Sequence, residues 1–278
     1  MTDLLAPVRA YVSQQIELGM PDIVLPPGST AARFLVRKPL QARPASPPQP
    51  KAQAAPAAGP RLLPASHLVR ASESRPAIAV RDANDPVRKA LVDLYESVKN
   101  CRACGLAAGR TKFVFGSGNA HAFIMVVGEA PGADEDAQGL PFVGAAGAML
   151  TKMLAAIGLD RSKDVFITNI LKCRPPDNRT PEATEVDACR HILTAQIAVI
   201  RPRVFLLMGK VAAHALLGSA DSITALRKEV RSVDGVPTFV TYHPAALLHN
   251  PDYRKPAWED LKKLRTFLAE RGIHAAAN

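Results

Sequence analysis

Four short apolar runs, residues 123–127, 165–170, 204–208 and 238–242, are each followed by a polar or glycine-rich segment. Runs this short and this continuously apolar fit strands buried on both faces. Between and after them, helical periodicity predicts helices over residues 147–157, 181–200 (with Thr180 as N-cap), 211–217 and 256–270. Upstream, Asp85-Pro86 supplies an N-cap residue and a proline at the first helical position. Val87, Leu91, Leu94 and Val98 then mark one apolar face. The alternation predicts an α/β fold, a three-layer αβα arrangement around a central four-stranded parallel sheet. Such sheets bind ligands beyond the carboxyl ends of their strands. Three unusual segments fall there: GEAPGADED (128–136), LKCRPPDN (171–178) and HPAALLHNP (243–251). One shared site is expected.

Residues 1–85 differ in kind, holding 13 of the 24 prolines, and the stretch 39–64 is dominated by Pro, Ala, Gln and Arg. That composition reads as a flexible, partly polyproline-II linker. Ahead of it, Leu4, Val8, Val12 and Ile16 recur at helical spacing. They mark either a plain docking helix or fraying terminus, or a segment for a replication or repair protein. The expected division is therefore an extension over 1–85 and a folded domain over 86–278. No apolar run approaches the roughly 18 residues of a membrane span. The N-terminus carries Asp3 and no continuous apolar segment, so a cytoplasmic protein is expected.

A formal net charge of +10 favours polyanions, since neutralising phosphates releases counterions, but charge alone names no substrate. The four cysteines form two pairs, Cys101-x2-Cys104 and Cys173 with Cys189. Two distant pairs of thiolates can enclose zinc or an iron–sulfur cluster, and spacing does not choose between them.

Three motifs in order carry a resemblance to a known family. Residues 128–132 (GEAPG), Glu135-Asp136 and 139–144 (GLPFVG) form the first, residues 168–176 (TNILKCRPP) the second, and 242–248 (YHPAALL) the third. Trp258-Glu259-Asp260-Leu261 follows in a closing helix. Together they resemble the family 4 uracil-DNA glycosylases over roughly residues 87–270. The resemblance implies a monofunctional DNA-repair hydrolase of the bacterial or archaeal cytosol. Such an enzyme releases uracil from single- and double-stranded DNA, acts as a monomer, leaves an abasic site and needs no diffusible cofactor. It also implies that Cys101, Cys104, Cys173 and Cys189 hold a structural [4Fe–4S] cluster.

By the same resemblance, Phe142 lies against a flipped base and Asn169 reads the uracil edge. His243 donates to the negative charge developing on uracil O2. Glu129, Ala130 and Gly132 form the turn that contacts the base. Ala130 stands where classical uracil-DNA glycosylases carry a water-positioning aspartate. Glu135 is the favoured substitute, with Asp136 beside it and a solvated acidic turn as the bland alternative. Ala246 replaces a bulky tyrosine. Arg231 replaces a loop histidine that a neighbouring family bonds to DNA, so no such adduct is expected. Arg227, Lys228 and Arg231 contact DNA phosphates or form a solvated basic loop. Two other functions remain open: a non-catalytic DNA-binding module like those associated with phage polymerases, and excision of another base such as hypoxanthine or mismatched thymine.

Overall fold

The computed structural model describes residues 85–273. The linker and the helical spacing from Leu4 to Ile16 lie outside the described residues. Helix α1 (Pro86–Val98) starts as its sequence dictates, with the Asp85 carboxylate accepting from the backbone N–H groups of Val87 and Arg88. Strands β1 (Ser117–Gly118), β2 (Ile124–Gly128), β3 (Val165–Asn169), β4 (Val204–Met208), β5 (Arg231–Val233) and β6 (Val236–Thr241) form one sheet in the order β1-β3-β2-β4-β6-β5. The inner four are parallel and correspond to the four apolar runs.

The edge strands β1 and β5 are antiparallel additions to that expectation. Neither carries an apolar run, so periodicity could not mark them. β5 is one arm of a hairpin whose turn residues, Asp234 and Gly235, have φ of 48° and 82°. A D-G pair between apolar residues is the local signal for such a turn. The basic loop expected around Arg227, Lys228 and Arg231 is accordingly short: Leu226 closes a helical turn and Arg231 opens β5.

The remaining helices are α2 (Ala133–Gln138), α3 (Ala145–Ala155), α4 (Ala183–Ile200), α5 (Lys210–Leu217), α6 (Ile223–Leu226), α7 (Pro244–His249) and α8 (Arg254–Glu270). Strand alternation divides the core in two. Met125, Val127, Phe205 and Leu207 face α1, α4 and α5, while Ile124, Val126, Val204 and Leu206 face α3, α7 and α8. The three-layer αβα arrangement follows, with both sheet faces covered. Helix α4 begins two residues later than expected, with Glu182 as N-cap. The Glu185 carboxylate sets that start by accepting from the Glu182 N–H while paired with Arg179.

Candidate active site

Strands β2 and β3 end in register, with Gly128 opposite Asn169. A side chain at Gly128 would force its neighbours to move, because a Cβ there would lie 2.6 Å from Cζ of Phe142 and against Oδ1 of Asn169. The absent side chain thus lets an aromatic ring and an amide meet over the strand ends. Phe142 is buried although it sits in a loop, and its φ of 53° is left-handed. Such a conformation costs on the order of 1–3 kcal/mol and persists only where neighbours impose it. They do so here. Arg161 donates to the carbonyl of Pro141 at 2.7 Å, and Gly147 leaves room for the carbonyl of Phe142.

The Glu135 carboxylate also shapes this loop. Oε1 accepts from the N–H groups of Val143 at 2.9 Å and Gly144 at 3.2 Å, and Oε2 from Gly132 N–H at 3.1 Å. It therefore clamps the turn after β2 to the loop that carries Phe142. Within that turn Glu129 is half-buried, and burial raises its carboxyl above the usual range. Ala130 packs against the apolar layer beneath α4.

Asn169 is 2% exposed, and its Oδ1 is a buried acceptor with no partner among the described residues. Burying an acceptor without a hydrogen bond is costly, so this atom points to a ligand. His243 caps α7, its Nδ1 accepting from the N–H of Ala245 at 3.2 Å. The ring proton is therefore on Nε2. Burial lowers the His243 pKa to about 4, against the opposing charge of Glu135, so the ring is a neutral donor at physiological pH. The rings of Phe142 and His243 lie 5.4 Å apart, inclined by 31°.

The four cysteines line one small cavity together with Phe113 and Ile192. Cys101 and Cys104 follow α1, Cys173 follows β3 and Cys189 lies on α4. Arg110 joins the two pairs, donating to Sγ of Cys173 at 3.3 Å and to the carbonyl of Cys101 at 3.0 Å. Burial pushes the Cys173 thiol up, and that of Cys189 up to about 11. Among the described residues no group of three or more metal-ligating side chains is already set for a metal ion.

A family model described as "Uracil DNA glycosylase superfamily" matches residues 115–262, a span that holds Phe142, Asn169 and His243. The chain belongs to that superfamily. It is 44% identical over 184 residues, 63% of this chain and 92% of the relative, to the Type-4 uracil-DNA glycosylase of Archaeoglobus fulgidus. Identity with the Type-4 enzyme of Thermotoga maritima is 42% over 190 residues, 66% of this chain and 98% of the relative. A DNA polymerase of Bacillus phage SP01 is 31% identical over 153 residues, 55% of this chain but 16% of the polymerase. Uracil-DNA glycosylases are hydrolytic glycosylases, and this chain is an enzyme of that superfamily.

The basic residues assigned to phosphates occupy different settings within the superfamily fold. Arg227 turns inward. It pairs with Asp260 at 2.6 Å and 3.0 Å, and its guanidinium lies 4.7 Å from the centre of the Tyr242 ring. Lys228 is exposed, whereas Arg231 is half-buried and reaches the carbonyl of Ala225. No helix among the described residues is long and apolar enough to cross a membrane. Sequence reasoning missed Lys172, which is completely buried and whose pKa burial lowers to about 7. The available signal was a lone lysine inside the apolar segment Ile170-Leu171-Lys172.

Proposed function

We propose that this enzyme hydrolyses the N-glycosidic bond of deoxyuridine in single- and double-stranded DNA, releasing uracil and leaving an abasic site for base excision repair. The observation that carries the reading is the unpartnered, buried Oδ1 of Asn169 beside Phe142 and a neutral His243. A flipped uracil offers N3–H as donor and O4 as acceptor, the pattern an asparagine amide complements. Cytosine reverses both and leaves the amide facing like groups. The Phe142 ring supplies a stacking surface, which offsets part of the few kcal/mol of unstacking. As the bond breaks, negative charge grows on uracil, and Nε2–H of His243 donates to O2. One such aimed donor contributes about 3 kcal/mol.

Ala130 supplies no carboxylate, so stabilisation of the departing base leads the mechanism. Glu135 keeps spare acceptor capacity on Oε2 for a water, although holding Gly132, Val143 and Gly144 is its first task. Backbone groups of Glu129, Ala130 and Gly132 border the base. Lys228 and Arg231 meet phosphates, and Arg227 supports that loop from within. Cys101, Cys104, Cys173 and Cys189 suit a [4Fe–4S] cluster, because four thiols line one largely apolar cavity. When bound, the cluster supplies a structural cross-link between the segment after α1, the exit of β3 and α4. The glycosylase domain is assigned to residues 86–278, acting as a cytosolic monomer. Residues 1–85 form an extension for a replication or repair partner.

The test is incubation with uracil-containing single- and double-stranded oligonucleotides, followed by alkaline cleavage of abasic sites. Scission of both is expected, and its absence on both sinks the reading. Asn169→Ala must abolish scission at matched protein concentration. Parallel substrates carrying hypoxanthine or mismatched thymine measure how strictly uracil is selected.

A further inference from the structure

The ammonium of Lys172 lies where the cysteine-bearing loop meets the base-reading strand. Its Nζ donates to Oγ1 of Thr168 at 2.5 Å, to the carbonyl of Asn169 at 2.8 Å and to Oε1 of Gln196 at 2.8 Å. Three acceptors match the three protons of an ammonium. The acceptors are themselves held. Thr168 Oγ1 donates to the carbonyl of Phe115 at 2.9 Å, and so does Nε2 of Gln196, also at 2.9 Å. The network therefore joins β3, α4 and the segment before β1. Thr168, Asn169, Lys172 and Gln196 are all essentially inaccessible to solvent. Networks of this kind rigidify when every member is satisfied, and partial satisfaction is costly.

Asn169 needs such support because its Oδ1 has no partner among the described residues. With no described residue bonded to that atom, the aim of the amide comes from the backbone and from packing. The backbone is fixed on both sides of the residue. Gly128 accepts from the N–H of Ile170 at 2.9 Å, and Lys172 grips the Asn169 carbonyl. Cys173 follows Lys172 directly, so the same lysine ties the cysteine loop to the strand end.

We propose that Lys172 is a positioning residue for uracil excision. It fixes the end of β3 so that the Asn169 amide presents its free acceptor to the base. The proposal rests on the base-reading role given to Asn169 above. A misplacement on the ångström scale at a reacting centre can cost about a hundred-fold in rate, so a loosened β3 end should depress the chemical step more than DNA binding.

The test compares wild-type, Lys172→Met, Lys172→Ala, Thr168→Val and Asn169→Ala full-length proteins by single-turnover excision, uracil-DNA affinity and visible cluster absorbance per protein. Lys172→Met is expected to slow excision at least about ten-fold, with affinity held within about two-fold and absorbance unchanged. Thr168→Val, which removes one of the three acceptors, should show the same pattern more weakly. Ethylammonium should partly restore Lys172→Ala and leave Asn169→Ala unaffected. Wild-type excision by Lys172→Met overturns the proposal, as does a loss of activity that only tracks loss of absorbance. If Lys172→Met does not fold, Thr168→Val decides, and wild-type excision there overturns it. Full activity in Asn169→Ala would instead defeat the base-reading role itself, a separate outcome.

Discussion

The Phe142 ring and the His243 imidazole face one another at 5.4 Å although 101 positions separate them in sequence. Gly128 makes this meeting possible, since a Cβ on it would occupy the place of the Phe142 ring edge. Gly128→Ala should therefore displace Phe142 and the Asn169 amide while leaving the buried sheet largely intact. We expect single-turnover uracil excision to fall by about a hundred-fold, with a small decrease in melting temperature. Unchanged excision would show that the placement of ring and amide over Gly128 does not limit the reaction.

The Glu135 carboxylate accepts from Gly132, Val143 and Gly144, so one side chain holds both loops of the base pocket. Glu135→Gln leaves one oxygen for three N–H groups and turns an NH2 toward at least one of them. Disrupting such part-buried pairing costs about 1 kcal/mol or more. Thermal melting should drop together with the excision rate. A rate loss with no change in melting would assign Glu135 chiefly to water rather than to loop clamping.

The parallel core was legible because strands buried on both faces are written as unbroken apolar runs, such as residues 204–208. The Asp85-Pro86 helix start was legible for an equally local reason. Roles set by distant partners were not. Arg227 reads as a basic loop residue until Asp260 is found beside it, 33 positions later. Lys172 reads only as one residue of the 168–176 motif until Gln196 and Thr168 close around it. Phe142, Asn169 and His243 were singled out through the family resemblance, and Asn169 and His243 also stand at strand ends, where the fold collects its chemistry. What remained illegible was the left-handed φ of Phe142 and the buried oxygen left free on Asn169.

Arg227 and Lys228 are neighbours with opposite surroundings, and their substitutions should separate accordingly. Arg227→Met strands the Asp260 carboxylate, which is 3% exposed and is also held by Thr241. Removing one partner of a buried pair costs roughly 3–5 kcal/mol, so chemical denaturation should register a large loss. Lys228→Ala should leave stability unchanged. It should lower the slope of log affinity against log salt by about 0.9, as loss of one phosphate contact requires. An unchanged slope would remove Lys228 from the DNA interface.

Cys189→Ser tests the cysteine cavity. Its thiol is buried and held protonated by its surroundings, with a pKa of about 11, so only a bound metal or cluster would keep it as thiolate at neutral pH. The purified wild-type protein, handled without oxygen, should contain iron and absorb in the visible. Cys189→Ser should lose iron and become sensitive to proteolysis between α1 and β1, where Cys101 and Cys104 lie. Zinc in place of iron in the wild-type protein would correct the metal and keep the cross-link.

The pH dependence follows from His243. Its folded-state pKa, about 4, lies below the ordinary histidine value of 6.5 because burial disfavours the imidazolium. Above pH 6.5 neither folded nor unfolded protein protonates it, and its contribution to stability is fully present. Between 6.5 and about 4 the unfolded chain takes up a proton that the folded chain refuses, so stability falls as pH drops through that window. Below about 4 the folded protein protonates too, and the Nδ1 that accepts from Ala245 becomes a donor facing a donor. Excision should therefore show no histidine titration from pH 6 to 9 and should collapse only toward pH 4. An inflection near 6.5 that disappears in His243→Asn would mean that the imidazole is solvated and protonates freely, which is incompatible with a buried, neutral Nε2–H donor.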